Sequence, residues 1–400
     1  DMHIHGTRIS RIVLAPDSTE QLIPAVDLAR IQHHQLQQVE FFGRQTDLSS
    51  LDVGWAIINI STLSFLGLGV QAPTPEWGLM LNEGRTYMAK EEQMTYLSAN
   101  GTTKIHAVKW MPEDGKYKAI LQITHGMIEF VERYRPFADF LTQNAFMVVG
   151  HDHLGHGDSV ASKDDWGYFA ENPSDTVIAD MHALRTMIQK ENPGVPYFMM
   201  GHSMGSYMLR KYLTVYNDDL RGAIIMGTGC VPDSMTRLGI NVCRFLAKIF
   251  GWHHRSRLVE SLSFGGPYKK YDLSGKTLSN SWLTKDEDIV KFYYSEPRCT
   301  FKFTLNGYLG LMEAVLYDNQ LENVKKVPNK LPIFIVSGQD DPVGDNGVGV
   351  KKVYDLFKEA GSLDITYKLY ENDRHEILNE TDRDKVYADL LAWMRVRIDT

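Results

Sequence analysis

The sequence predicts an α/β fold, a mostly parallel sheet with helices on both faces. Three observations predict it. From Met94 onward, short apolar runs alternate with stretches of helical periodicity. One such run passes into a helical stretch through the tight turn Gly201-His202-Ser203-Met204-Gly205. The alternation resumes near residue 328 and continues to the last helix. Strands separated by helices are joined by crossovers, and crossovers impose parallel pairing.

Taken in order, Met94–Leu97 is strand-like, Asn100-Gly101 is a turn, and Lys104–Trp110 is strand-like again. Pro112-Glu113-Asp114-Gly115 is a further turn. Ala119–Ile123 reads as a buried strand, Tyr134–Gln143 as a helix and Phe146–Gly150 as the next strand. Asp175–Glu191 carries apolar residues at helical spacing. Pro196–Met200 is the strand that enters the Ser203 turn, and Ser206–Leu213 the helix that leaves it. Gly222–Met226 is a strand, as is Pro332–Ser337; Gly349–Ala360 is a helix, Asp364–Leu369 a strand and Asp382–Arg397 the closing helix.

Two segments stand outside the pattern. Residues 231–327 have helical pieces, no clear strand and many aromatics, among them Phe245, Phe250, Trp252, Phe264, Tyr268, Trp282, Phe292, Tyr293, Phe301, Phe303 and Tyr308. An insertion after a core strand reads as a helical cap whose aromatics line an acyl-binding cleft. Residues 1–93 carry no repeat and no catalytic motif; His3 and His5 lack a third ligand and read as surface residues. The expected division is therefore an extension over 1–93, a core over 94–230 and 328–400, and a cap over 231–327.

Bulk properties exclude some functions. Of 400 residues, 43% are hydrophobic and 23% charged, as in globular proteins. A net charge of −8 argues against nucleic acid or an anionic membrane as an electrostatic partner. Cys230, Cys243 and Cys299 are widely spaced and odd in number, which points to free thiols and a cytoplasmic setting. The chain opens without the basic start and apolar core of a secretory signal. Val53 to Val70 is free of charge, yet its Asn59, Ser61, Thr62 and Ser64 weaken a membrane-span reading.

The chemistry centres on Ser203. A strand, a Gly-x-Ser-x-Gly turn and a helix force the serine into a strained conformation with its hydroxyl exposed above the sheet. A serine hydroxyl needs a base to take its proton and an acid to orient that base. Where a serine sits in such a strand–turn–helix elbow, both follow it in the chain, acid first. After Ser203 only His253, His254 and His375 remain, and His375 alone follows the last core strand. The acid belongs in the turn after Ile333–Val336, where Asp340, Asp341 and Asp345 compete. Two backbone amides must meet the developing oxyanion: Met204, directly after the serine, and Met127, in the loop His125-Gly126-Met127-Ile128-Glu129. His125 and Gly126 support that loop, and His202 packs beneath the turn rather than acting as base. The run from His151 to Ser159 holds three histidines and two aspartates. It reads as a support for the site, not as a metal centre.

From Met94 to the end the chain resembles the α/β-hydrolases of the monoacylglycerol lipase and lysophospholipase group, related to serine aminopeptidases. The carriers are His125-Gly126-Met127, the Asp152–Ser159 run, the Gly201–Gly205 turn, the Gly338–Val343 turn and the His375 loop. The resemblance implies an eight-stranded sheet, a cap and ester hydrolysis without a cofactor. It also singles out Asp341, because the family places its acid three residues after the glycine that stands here as Gly338. Many monoacylglycerol lipases carry Gly-x-Gly-Glu-His after the histidine-glycine pair, where this chain has Met127-Ile128-Glu129-Phe130, so a glycerol preference does not follow. The expected partner is a small ester or lipid, with transient contact to a membrane or micelle. Residues 63–85 resemble a fragment of an ABC peptide-transporter permease, and 1–93 read as an atypical extension of the kind a cloning or gene-fusion junction leaves. The rival expectations are an aminopeptidase or amidase on the same triad, a membrane-associated protein governed by 1–93, and a binding protein on an inactive hydrolase fold.

Overall fold

The computed structural model describes residues 89–216 and 219–398, together with a short antiparallel pairing of His3–Ile4 with Thr7–Arg8. The chain divides into two compact units, Asp1–Met88 and Ala89–Thr400. The apolar run Val53–Val70 and the permease-like residues 63–85 lie outside the described residues.

The strands are β1 (Lys90–Leu97), β2 (Lys104–Met111), β3 (Ala119–Thr124), β4 (Phe146–His151), β5 (Tyr197–His202), β6 (Leu220–Met226), β7 (Ile333–Gly338) and β8 (Ile365–Tyr370). They form one sheet in the order β8-β7-β6-β5-β3-β4-β2-β1. Only β2 runs antiparallel to its neighbours, β1 and β4. Every residue of β3, β4, β5 and β7 is buried. That is why these strands read as continuous apolar runs: a parallel sheet covered on both faces has no solvent side.

Helices α1 (Arg135–Thr142), α2 (Pro173–Glu191) and α3 (Met204–Val215) precede the insertion. The insertion between β6 and β7 is helical: α4 (Asp233–Phe250), α5 (Arg257–Ser263), α6 (Glu287–Ser295), α7 (Leu305–Asp318) and the single turn α8 (Leu321–Val324). Then come α9 (Val348–Glu359) and α10 (Arg383–Arg395). One face of the sheet packs on α2, α3 and α9 through residues such as Met181, Leu184, Met208 and Phe357. The other packs on α1 and α10 through Phe137, Leu141, Leu390 and Trp393. The C-terminal ends of β3, β5, β6 and β7 stand level, since Thr124 pairs with Gly201, His202 with Met226, and Met226 with Val336. Their loops therefore gather on one edge, where ligands bind in open α/β sheets.

The structure departs from the sequence reading in two places. The first strand begins at Lys90, four residues before Met94. Lys90, Glu91 and Glu92 look unlike a strand, but β1 is an edge strand and edges tolerate charge. Glu91 also accepts from Trp110 Nε1 at 3.0 Å and from Arg135 at 2.9 Å. The second departure concerns the insertion's aromatics. Phe245, Phe250, Trp252 and Phe292 are exposed at the surface, whereas Tyr293, Phe303 and Tyr308 are buried. They do not form one cleft lining.

Where α7 lies on α3, Asp318 is sealed from solvent. Its two carboxylate oxygens have no hydrogen-bond partner among the described residues, and the nearest cation is Arg210 Nε, 3.7 Å away. Burial outweighs Arg210 and Lys211 and pushes the Asp318 carboxyl up to about 8. The folded chain thus keeps a proton that the unfolded chain releases near the ordinary aspartate value of 3.8. Between those two limits the folded state binds more protons, so stability falls as pH rises. Asp318→Asn has no such proton to lose. Its melting temperature relative to wild type should climb between pH 5 and pH 8.5, and a difference independent of pH would contradict the assignment.

Candidate active site

The turn after β5 is built on a close crossing. A methyl group at Gly205 would stand 2.1 Å from the Thr124 carbonyl oxygen and 2.5 Å from that of His125. Only glycine lets α3 approach β3 this closely. The chain reverses through Ser203, whose φ of 53° and ψ of −121° are strained for a residue with a side chain. The Ser203 amide donates to the Met226 carbonyl at 3.0 Å, and its own carbonyl accepts the Ser206 amide at 2.8 Å and hydroxyl at 2.6 Å. These bonds hold the strain in place.

The loop after β3 meets the serine from the other side. A methyl group at Gly126 would come within 2.9 Å of Ser203 Cβ. The next residues turn sharply, and Ile128 adopts φ 57°. That left-handed conformation costs a β-branched residue about 1–2 kcal/mol. The Met127 amide has no acceptor among the described residues, and Met204 is the first residue of α3, where amides have no intrahelical partner. Both are open to an oxyanion.

His375 sits in the loop after β8. Its Nδ1 lies 3.0 Å from each carboxylate oxygen of Asp341. Asp341 also accepts from the Ser337 hydroxyl and from the Val343 amide, both at 2.8 Å. Burial alone would raise its carboxyl, but His375 and these donors hold it below the ordinary value. The structure thus brings Asp341, of the three competing aspartates, onto the histidine. Asp340 faces elsewhere, its carbonyl accepting from Tyr271 at 2.7 Å, and Asp345 is exposed. His253 pairs at the surface with Asp165.

Beneath the site lies a buried charge cluster that the sequence reading did not single out. Arg133 donates to Glu129 at 2.7 Å and, through two nitrogens, to Glu376 at 2.8 and 2.7 Å. Glu129 Oε1 accepts from the Gly126 amide and from Tyr134 at 2.9 Å. His202 completes the cluster: Nδ1 lies 3.2 Å from Glu129 Oε1 and Nε2 3.3 Å from the His375 carbonyl oxygen. Burial opposes protonation of His202, yet Glu129 raises it above its ordinary value. Two acceptors at its two nitrogens suit an imidazolium. The cluster ties the oxyanion loop, the serine turn and the His375 loop into one unit. The adjacency of Glu376 to His375 was the available signal.

The histidine-rich run packs against the same loop. His125 Nε2 accepts the His153 amide at 2.9 Å, and His153 Nε2 donates to the His125 carbonyl at 3.1 Å. His151 lies 3.1 Å from His153, and His156 stacks on Phe169. Burial lowers the basicity of His125, His151, His153 and His156, to about 3 for His151. Asp152 holds three segments through the Val131 and Asp158 amides and His106. His106, Glu132 and Asp152 offer ligand atoms within 4.8 Å of one another. The hydrogen bond to Asp152 raises His106, and the pairing accounts for the grouping without an ion.

A strained serine between β5 and α3, and a histidine paired with a buried aspartate at the same edge of a sheet of this order, define the class: the fold is that of the α/β-hydrolases. The model of the serine aminopeptidase S33 family matches residues 115–382, and the chain belongs to that family. Human monoglyceride lipase is 24% identical over 304 residues, 73% of this chain and 86% of that protein. A monkeypox virus monoglyceride lipase homolog is 26% identical over 290 residues, 70% and 91% of the two chains. A thermostable carboxyl esterase from Bacillus coagulans, solved with glycerol, superposes with a TM-score of 0.71 at 28% identity, covering 77% of this chain and 99% of that one. A soluble variant of Saccharomyces cerevisiae monoglyceride lipase has a TM-score of 0.61 at 22% identity, covering 78% and 96%. Separately, 41 residues are 51% identical to an Escherichia coli nickel transport permease, 10% of this chain and 15% of that protein.

Removing Arg133 would leave Glu376 buried without its cation and Glu129 with His202 alone, and breaking a buried ion pair typically costs about 3–5 kcal/mol. Arg133→Met should lose stability of that order in urea unfolding. A loss below about 1 kcal/mol would show that the two carboxylates find other partners.

Proposed function

We propose that the protein is a serine hydrolase of carboxylic esters, acting through an acyl-enzyme. The observation that carries this reading is the buried His375–Asp341 pair on the same sheet edge that carries the strained Ser203. Ser203 Oγ attacks the ester carbonyl while His375 takes its proton. Asp341 fixes the imidazole through Nδ1, leaving Nε2 for the serine. The Met127 and Met204 amides receive the oxyanion, each such donor being worth about 3–4 kcal/mol of barrier. His375 then protonates the leaving alcohol, and a water activated by the same histidine releases the acid. The names of the relatives support esters of lipid-like alcohols or acids as substrates. An amine-recognising peptidase is less well supported: the buried carboxylates near the site, Glu129 and Glu376, are both engaged by Arg133. Ser203→Ala should reduce turnover of p-nitrophenyl butyrate by at least about a thousandfold and abolish labelling by a fluorophosphonate. Full turnover in that variant would end the proposal.

We further propose that the insertion caps the site and brings the enzyme to lipid surfaces. Met235, Leu238, Phe245, Ile249 and Phe250 of α4 are each more than half exposed, as are Leu258 and Leu262 of α5. Arg237, Lys248 and Arg257 lie exposed among them, in a chain of net charge −8. Exposed apolar residues fringed by cations suit an anionic lipid surface. Among the described residues no helix is long and apolar enough to cross a membrane. The protein should cosediment with phosphatidylglycerol vesicles more than with phosphatidylcholine vesicles. The pair Phe245→Ser and Ile249→Ser should weaken that binding and leave turnover of a soluble ester unchanged. Binding indifferent to both lipid charge and these substitutions would overturn the assignment, as would a dimer that buries the stripe.

A further inference from the structure

The His375 imidazole is enclosed between two rings. On one side the His202 ring lies 4.7 Å away, centroid to centroid, at 38°. On the other the Trp282 indole, carried on the insertion between α5 and α6, lies 5.0 Å away at 28°. The Trp282 carbonyl oxygen also accepts the His375 amide at 3.4 Å. Tyr268 and Phe264 brace the indole edge-on, at 5.3 and 6.2 Å.

These two neighbours have opposite electrostatic effects. His202 faces Glu129 and the His375 carbonyl with both nitrogens, so it brings positive charge beside the base. The face of an indole is negative and attracts a cation within about 6 Å. During acylation a proton moves from Ser203 Oγ to His375 Nε2, the serine oxygen's electron pair enters the carbonyl carbon, and the carbonyl π pair moves onto oxygen. His375 is an imidazolium from that moment until it gives the proton to the leaving alcohol. Deacylation repeats the cycle with water as the proton source.

We propose that Trp282 is a positioning residue for this reaction: its indole face holds the imidazole ring in place and stabilises the imidazolium against the neighbouring His202. The inference rests on His375 being the general base. It assigns to the cap a part in the chemical step as well as in covering the substrate.

Replacing the indole leaves the carbonyl–amide tether intact, since that bond is made by the main chain. Trp282→Leu should lower kcat about five- to thirtyfold, with KM for a short ester little changed, and Trp282→Phe should restore part of the loss. The decisive experiment replaces Trp282 alone with mono-, di- and tetrafluorinated tryptophan. Fluorine drains the negative face while nearly preserving shape. The logarithm of kcat should fall stepwise along the series, and so should the rate at which diisopropyl fluorophosphate inactivates Ser203. That inhibitor has no acyl chain for the indole to grip. A flat fluorination series, or a fall in ester turnover with unchanged inactivation, would overturn the role of the indole. His375→Ala tests the underlying reading by itself: undiminished turnover there would remove the general base, whatever the tryptophan does.

Discussion

The arrangement depends on one constraint, the backbone-to-backbone approach of α3 and β3 at Gly205. Helix and strand cross with no room for a single methyl group. Because they do, the chain between β5 and α3 must reverse within one residue, and that residue is Ser203. The same approach brings the loop after β3 alongside the serine, so that Gly126 faces Ser203. A looser crossing would relax the serine and part it from that loop at the same time.

Electrostatics completes what packing begins. Arg133 is almost fully enclosed, and its guanidinium is shared between nearby Glu129 and Glu376, which lies 243 residues further along the chain. A buried cation of this kind is a demanding element, since each partner is costly to leave alone. In return it couples the loop that supplies an oxyanion donor to the loop that supplies the histidine. Glu129 extends the coupling to the Gly126 amide and to His202. Four ionisable side chains, Arg133, Glu129, Glu376 and His202, thus set the spacing of three loops around the serine.

Much of this was legible in the sequence, and the limits have physical causes. The parallel sheet announced itself because strands buried on both faces are written as unbroken apolar runs. Ser203 and His375 stood out because a tight turn needs glycines at fixed places and because few histidines follow the serine. The acid stayed ambiguous because three aspartates share one turn, and only the direction of each side chain separates Asp341 from its neighbours. The Arg133 cluster was hidden by distance along the chain. The insertion was misread in part because aromatic content does not say which face of a helix is covered: Phe245 and Phe250 look like Phe303 in sequence, yet they face outward. The start of β1 was missed because charged residues at a sheet edge resemble a loop.

The four imidazoles packed behind the oxyanion loop carry one more consequence. His125, His151, His153 and His156 are kept neutral by burial. Below the ordinary imidazole value of 6.5, the unfolded chain takes up protons that these rings refuse in the fold. Stability is therefore withdrawn as pH falls from about 6.5 toward 3, the range over which His151 and its neighbours hold out. The histidine run sets an acid boundary on the molecule.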